Sequence, residues 1–318
     1  MKTSFEIRNG GVAVGPESRA GVFLYLAPDS QEKQEIIERL HLDPYDLDSA
    51  LDPDEVPRLE CTPNRFFLIL KRPKSVTVDQ KIRFDVSSLG LFLQQDKLLV
   101  IMNEEVIPFS GKEFQGATAA ADVLLGCILF TIHHYQSHVR AIRQLTAELE
   151  SKIVSSMENR YLLQMFSLGE SLVYYLDAIE ANGAVLARLR TVAERLGFSK
   201  EEIESIDNII QDNQQCSRQA QIYSTVLSGL MDARGTIVNN NMNVLLKNLT
   251  IINVVFLPLN LLASIGGMSE YSALTRGIDW RISYSLFTLG MVALGLASWQ
   301  ILRRVFERAR HRGSQMPK

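Results

Sequence analysis

Two apolar segments near the C-terminal end place the strongest constraint on what this chain can fold into. Residues 250–271 read TIINVVFLPLNLLASIGGMSEY, and residues 284–301 form a second apolar run after a short polar loop. Each is close to the roughly 17 to 20 residues that a helix needs to cross the hydrocarbon core of a bilayer. Residues 1–245 have the composition of a water-soluble protein. The sequence therefore predicts a large soluble portion followed by two transmembrane helices.

Polar side chains interrupt the first apolar segment at regular spacing. Steps of four and three residues generate one series, Asn239, Asn243, Leu246, Thr250, Asn253, Leu257, Asn260 and Ser264. In a coiled coil these positions would form a dry core of Leu and Ile, and one interpretation is that the Asn residues specify register. A wetted pore with Leu246 and Leu257 as apolar constrictions explains the alternation better. Asp232, one heptad before Asn239, would add a ring of carboxylates on the same axis.

Two spans in one chain cannot enclose a channel, so a pore requires several copies with the first span on the axis. The residues that follow the second span are strongly basic and include Arg303, Arg304, Arg308, Arg310, Arg312 and Lys318. Because basic segments stay on the cytoplasmic side, both termini are predicted to be cytoplasmic and the short loop external. Gly290, Ala293 and Ala297 give the second span a small-residue face for packing on a neighbouring helix.

The N-terminal part of the chain alternates strand and helix patterns. Short aromatic and aliphatic runs bounded by Pro, Gly or Asp predict strands at residues 21–26, 66–71, 90–94 and 98–102. Helical periodicity predicts helices at residues 31–40 and 44–51, between the first two strands. The fold class predicted for this part is therefore an α/β domain.

Strand patterns disappear after about residue 116, and long helical patterns replace them. Residues 117–157 and 161–196 predict a pair of long helices, and Ser199 with Glu202 forms a capping box that starts the next helix. That helix runs from Lys200 into the first span, and more than fifty residues at a rise of about 1.5 Å span roughly 80 Å. A helix of this length that ends in a membrane is interpreted as a stalk.

These patterns divide the chain into seven segments. They are a cytoplasmic α/β domain at 1–115, a long antiparallel helical pair at 116–198, a stalk helix at 199–248, a pore-lining transmembrane helix at 249–268, an external loop at 269–282, a second transmembrane helix at 283–302 and a basic cytoplasmic tail at 303–318.

Composition argues against several classes of function. A net charge of −3 does not favour nucleic-acid binding, and the three Cys residues are too widely spaced for a disulfide framework. The start of the chain lacks the apolar core of a signal peptide. No phosphate-binding loop and no paired nucleophile and base are present, so we expect neither an enzyme nor a cofactor.

His134 and His138 have a spacing that can bind zinc, but a surface or core-edge pair is the favoured interpretation.

The order of the seven segments and several local patterns resemble the CorA superfamily of divalent-cation transporters. The residues that carry the resemblance are 41–51, 55–60 and 66–73, Pro258 within the first span, and Gly267-Met268 at its outer end. The resemblance implies a funnel-shaped homopentamer with a cytoplasmic α/β domain, a long helical stalk, two C-terminal transmembrane helices and an external loop ring that captures hydrated metal.

One residue departs from the family pattern. The family signature ends Gly-Met-Asn, whereas this chain has Gly267-Met268-Ser269. Mg²⁺ loses its water reluctantly, so a ring of amide and carbonyl oxygens suits the hydrated ion better than a shorter hydroxyl does. Selectivity for magnesium is therefore not carried over, and divergent branches similar to CmaX or to the zinc-transporting ZntB remain open.

The resemblance and the polar series together suggest a role for each candidate residue. The outer capture site would comprise Gly267, Met268, Ser269 and Glu270, with Asn260 just inside it, and the hydrated path would continue along Asn253 and Thr250. The gate would be formed by Leu257, Leu246, Asn243 and Asn239. A regulatory metal site in the cytoplasm would be formed by Asp232, Asp207 and Asp212. Acidic residues on a long helix are more often a solvated face, so the regulatory site is the weaker hypothesis.

The expected setting is the bacterial inner membrane. The predicted partners are further copies of the chain, the lipid bilayer and a divalent cation as substrate and candidate regulator: Mg²⁺, Zn²⁺, Co²⁺ or Ni²⁺. A membrane scaffold or metal sensor that keeps the architecture without conducting is the alternative, and Ser269 is the feature that favours it.

Overall fold

The computed structural model describes residues 1–40, 42–62, 65–74, 77–78, 82–94, 96–104, 107–155 and 159–313. The described chain divides into two compact units, an N-terminal unit Met1–Asp232 and a C-terminal unit Ala233–Lys318. The predicted α/β domain, long helices and two C-terminal apolar helices are confirmed.

One mixed sheet of seven strands forms the centre of the N-terminal unit. Its strands are β1 Lys2–Arg8, β2 Gly11–Val14, β3 Val22–Leu26, β4 Arg58–Thr62, β5 Arg65–Pro73, β8 Val86–Gln94 and β9 Lys97–Met102, while β6 Thr77–Val78 and β7 Ile82–Arg83 form a separate pair. The order is β2-β1-β3-β9-β8-β5-β4, and only the β3–β9 pair among these neighbours is parallel. The four predicted strands correspond to β3, β5, β8 and β9.

Both faces of this sheet are buried because apolar residues fill successive positions of the central strands. In β3, Phe23 and Tyr25 pack with residues of helices α1 Ser30–Leu40 and α2 Pro44–Leu51. Leu24, between them in sequence, packs on the other face with residues of α3 Ala120–Ser155 and α4 Asn159–Val192. The N-terminal domain is therefore a three-layer α/β/α arrangement.

The long helices α3 and α4 carry a second core of their own. Tyr135 and Tyr175, one from each helix, are almost completely buried with ring centroids 5.0 Å apart. Only three residues separate the helices in sequence, so side-by-side packing makes them antiparallel. Residues of α5 Lys200–Gly266 complete this core, among them Cys216 and Leu227.

The start of α5 has the predicted capping box. The Ser199 amide donates to the Glu202 carboxylate at 2.6 Å, and the Glu202 amide donates to the Ser199 hydroxyl oxygen at 3.2 Å. Gly197 has a φ of +81°, a left-handed conformation that favours glycine, and this ends the preceding helical turn. These local interactions separate α4 from α5 as the sequence predicts.

The C-terminal unit contains the end of α5, the short helix α6 Ser269–Leu274 and α7 Trp280–Gly313. Pro258 lies inside α5, which continues as a helix to Gly266. Two helices in the described part of the chain, Lys200–Gly266 and Trp280–Leu302, contain segments long and apolar enough to cross a membrane.

Candidate functional site

The last part of α5 packs one face against α7. Half-buried positions recur in α5 with helical spacing at Ile251, Val255, Leu259, Leu262 and Gly266, and in α7 at Ser283, Phe287, Met291, Gly295 and Ser298. A Cβ added at Gly295 would lie 3.5 Å from Cδ1 of Leu259, so the two helices are in direct contact at this level. The predicted small residues Gly290, Ala293 and Ala297 lie outside this series, and all three are exposed.

The polar series predicted to line a pore lies on the opposite face of α5. Thr250, Asn253, Asn260 and Ser264 are all exposed in the single chain. At about 100° per residue, these positions centre about 180° from the face that packs on α7. The Thr250 hydroxyl donates to the Leu246 carbonyl at 2.8 Å, whereas hydrocarbon could not satisfy the exposed amide groups of the asparagines. This face therefore requires water or another protein surface.

The two apolar members of the series are also uncovered. Leu246 is 56% exposed and Leu257 is 70% exposed, so neither contributes to the α5–α7 contact. Asn239 and Asn243 lie further toward the N-terminal end of α5 and are exposed too. Polar and apolar members thus alternate along one exposed face of a continuous helix.

The predicted outer site is a tight turn between α5 and α6. The Gly267 amide donates to the Ala263 carbonyl at 3.1 Å, and the Met268 amide donates to the Ile265 carbonyl at 3.1 Å. Gly267, Met268 and Ser269 are exposed, while the side chain of Glu270 lies outside the described residues. Backbone carbonyls and the Ser269 hydroxyl are hard oxygen donors, the kind that Mg²⁺ and similar cations prefer, and this exposed turn contains both.

Four residues that were not predicted hold this turn against α7. A Cβ added at Gly266 would lie 2.5 Å from Cζ of Phe287, so any larger residue at the end of α5 would have to displace this ring. Tyr271 of α6 has its ring centroid 5.4 Å from that of Phe287, and its hydroxyl oxygen lies 3.4 Å from that of Ser283. Because these contacts join separate elements, no local sequence pattern indicates them.

The acidic residues predicted for a cytoplasmic metal site are not assembled within one chain. Asp207 accepts a hydrogen bond from Nε of Arg190 at 2.7 Å. Asp212 lines a cavity of about 280 Å³ together with Glu113 and Asp122. Glu113 lies 2.7 Å from Nδ1 of His133, and Asp122 caps the start of α3, so both carboxylates already have partners.

Asp232 is exposed near the boundary between the two units. Among the residues whose side chains are described, no three His, Cys, Asp or Glu side chains converge to hold a metal ion.

The pair His134 and His138 lies at the edge of the core of the N-terminal unit. Their ring centroids are 4.4 Å apart, and Nδ1 of His138 lies 2.6 Å from the Tyr175 hydroxyl oxygen. Burial lowers the pKa of His134 to about 4, with a further contribution from the Arg72 guanidinium. Burial also lowers the pKa of His138 to about 4, with a further contribution from His134. The interpretation as a core-edge pair is confirmed.

Comparison with known sequences matches most of the chain to one family. The profile of a family described as CorA-like Mg²⁺ transporter protein matches residues 23–304. The cobalt/magnesium transport protein CorA of Methanocaldococcus jannaschii is 24% identical over 251 residues, which cover 76% of this chain and 77% of that protein.

Comparison with solved structures finds the same fold. The complete structure of the CorA magnesium transporter from Methanocaldococcus jannaschii superposes with a TM-score of 0.71 at 18% identity, covering 97% of this chain and 98% of that one. The full-length CmaX protein gives a TM-score of 0.72 at 12% identity, covering 95% and 96%. The ZntB cytoplasmic domain from Vibrio parahaemolyticus gives 0.59 at 13% identity, covering 75% and 98%. All three resemblances support the fold of this chain.

Proposed function

Because the chain belongs to the family of CorA-like Mg²⁺ transporter proteins, we propose that it is a divalent-cation channel whose pore is lined by the polar face of α5. Family membership also confirms that the chain is a transporter-family protein and not an enzyme. The observation that carries the proposal is the exposed series Thr250, Asn253, Leu257, Asn260 and Ser264, opposite the face that packs on α7.

The position of this face favours a pore on a symmetry axis. Each α7 covers one side of its own α5, which leaves the polar side for neighbouring copies and for water. Two spans cannot enclose a channel, so several chains, five by analogy with the family, would place their α5 helices around the axis. Asn253 and Asn260 would then contact hydrated cations, and Thr250 would extend the path inward.

The turn after α5 is proposed as the outer capture site. Repeated around an axis, the carbonyls of Gly267 and Met268 and the side chain of Ser269 would form a ring of hard oxygen donors. Such a ring can hold a cation through its hydration shell, which suits ions that lose water reluctantly. We expect Glu270 to add electrostatic attraction.

The proposed setting is the cell membrane with both termini in the cytoplasm. The basic residues after the second span, beginning with Arg303 and Arg304, favour the cytoplasmic side, and the turn at 266–269 would face the outside. Among the candidate cations, we propose Co²⁺ and Mg²⁺ as the first substrates to test, because the relative from Methanocaldococcus jannaschii is named for both.

A flux assay with purified full-length protein in liposomes tests the proposal. Metal-sensitive dyes inside the liposomes would report entry of Mg²⁺, Co²⁺, Zn²⁺ and Ni²⁺ in separate measurements. Entry of at least one cation above protein-free liposomes is the expected result. Absence of entry for all four cations would contradict the channel. It would favour a non-conducting scaffold or metal sensor, in which Ser269 replaces the Asn of the family signature because conduction has been lost.

The gate assignment has a test of its own. Replacing Leu246 and Leu257 with Gly removes the two apolar constrictions and should raise basal flux, because dewetting at an apolar ring closes a pore. Ile252→Gly is the matched control. It introduces Gly into the same helix, at a cost of about 1 kcal/mol in helix stability, but Ile252 lies away from the polar face. Equal flux in all three proteins would contradict the gate.

A further inference from the structure

The turn proposed to capture the cation makes contact with α7 through one aromatic side chain. Phe287 contacts one residue on each side of the exposed segment 267–269. Its ring lies against Gly266, the last residue of α5, so closely that an added Cβ would sit 2.5 Å from Cζ. The same ring has its centroid 5.4 Å from that of Tyr271 in α6.

A second contact reinforces the same arrangement from one helical turn away. Ser283 lies four residues before Phe287 on α7, and its hydroxyl oxygen is 3.4 Å from that of Tyr271. The Tyr271 amide donates to the Met268 carbonyl at 3.2 Å, which links the ring directly to the exposed turn. Displacement of Tyr271 would therefore displace the backbone around Met268.

We propose that Phe287 is a positioning residue, which holds Gly266 and Tyr271 on the two sides of the exposed segment 267–269 and thereby sets the affinity of the outer site for its cation. The inference rests on the proposed function, because the turn must be the capture site for affinity to respond. Phe287 is half-buried against α5 and lies on the face of α7 away from the exposed residues. Its effect on the cation is exerted through the backbone of the turn.

The physical basis is the sensitivity of ion coordination to small displacements of the donors. A ring of backbone carbonyls holds a hydrated cation only if each copy presents its oxygens at the same position. A loss of about 1 Å of precision at a site whose supporting residues are removed is enough to weaken it strongly. One large ring that contacts a residue on each side of the exposed segment 267–269 supplies this precision without touching the ion.

The experiment uses the full-length protein in liposomes with Co²⁺ as the probe cation. We expect Phe287→Ala to raise the half-saturating Co²⁺ concentration by about fivefold or more while maximal flux stays within about twofold. Phe287→Leu keeps apolar volume against Gly266 but loses the ring contact with Tyr271, so its shift should be smaller. Gly266→Ala should act in the same direction as Phe287→Ala, because the added methyl group must push the ring away.

Leu259→Ala is the matched control. Leu259 belongs to the same α5–α7 contact at the level of Gly295, about two turns from the capture site. It should leave the half-saturating concentration unchanged. An equal shift in Leu259→Ala and Phe287→Ala would show a general loss of packing and would overturn the proposal, as would an unchanged value in Phe287→Ala.

Hydrogen exchange of the same proteins separates this inference from the proposed function. Phe287→Ala should accelerate exchange of the amides at 267–272 by about tenfold, and Leu259→Ala should not. If the wild-type protein carries no cation, the proposed function fails, but this measurement still decides whether Phe287 positions the turn. If Phe287→Ala does not yield folded protein, Phe287→Leu is judged by the same two criteria, and no change in either would overturn the proposal.

Discussion

Acidification should destabilise the N-terminal unit through two histidines of α3. Burial lowers the pKa of both His134 and His138 from 6.5 to about 4. Nδ1 of His138 lies 2.6 Å from the Tyr175 hydroxyl oxygen, so this ring is engaged at the edge of the core rather than in solvent. The Arg72 guanidinium adds positive charge near His134. Both rings are therefore held in the uncharged form by the folded structure.

The sign of the effect follows from the direction of these pKa changes. The unfolded chain binds protons on both rings as the pH falls through 6.5, while the folded chain does not until about pH 4. The stability that the two neutral histidines contribute is therefore fully present above pH 6.5 and is lost progressively between pH 6.5 and pH 4.

The magnitude can be worked out from the same pKa values. One pKa unit corresponds to about 1.36 kcal/mol, so at pH 5 each ring would lower the free energy of unfolding by about 2 kcal/mol. The rings are partly exposed, so we halve this value for solvent screening, which leaves about 2 kcal/mol for the pair. At about 2.1 cal/mol/K for each residue of the unit Met1–Asp232, this corresponds to a fall in Tm of about 4 °C.

Other titratable groups face the two rings and define the comparison that is needed. They are Arg72 of β5, which acts on His134, and Tyr175 of α4, whose hydroxyl oxygen lies 2.6 Å from Nδ1 of His138. These groups are unchanged in a variant with both His134 and His138 replaced by Asn. The difference between this variant and the wild-type protein therefore isolates the histidines.

Thermal unfolding of the full-length protein can be followed by thiol labelling at pH 7.5 and pH 5. Cys127 and Cys216 are buried in the N-terminal unit and become reactive when it unfolds, while exposed Cys61 is blocked beforehand. A pyridyl disulfide reacts at both pH values. His133→Asn is the matched control, since His133 lies on the same helix with a side chain that is 42% exposed. An equal fall in Tm for the wild-type and double-variant proteins would refute the reasoning.

Two further predictions concern the stability of the N-terminal unit. The Asn182 side chain accepts from the Lys71 amide at 2.8 Å and donates to the Lys71 carbonyl at 2.7 Å, so Asn182→Ala should cost about 2 to 4 kcal/mol in denaturant unfolding by leaving buried backbone groups unpaired. A cost below 1 kcal/mol would contradict this role. Ser199→Ala removes half of the capping box with Glu202 and should cost about 1 kcal/mol in the same measurement, whereas Ser205→Ala should cost little.

Sequence patterns predicted the elements that depend on neighbouring residues. The strands β3, β5, β8 and β9 contain continuous apolar runs, which is the pattern of a strand buried on both faces. Strands β1, β2 and β4 were missed because each mixes charged or small residues with few apolar ones, and only pairing with a neighbouring strand stabilises them. Tertiary pairing decides such strands.

The candidate site divides in the same way. The series Asn253, Leu257 and Asn260 could be placed on one face from sequence alone, because a helix fixes the angle between residues three and four apart. Which face would be covered by the second span could not be predicted. The sequence indicated Gly290, Ala293 and Ala297 for packing, whereas the contact with α5 uses other positions, including Gly295.

The amino-acid sequence by itself determined the two membrane segments, the polar face of the first and the capping box that starts α5. All of these depend on spacing within one element, and backbone geometry sets that spacing. Only the tertiary structure decided the contact of Phe287 with Gly266, the clamp of Asn182 on Lys71 and the neutral state of His134. Each joins groups from different elements, up to 111 residues apart in the case of Asn182, and their proximity exists only after the chain has folded.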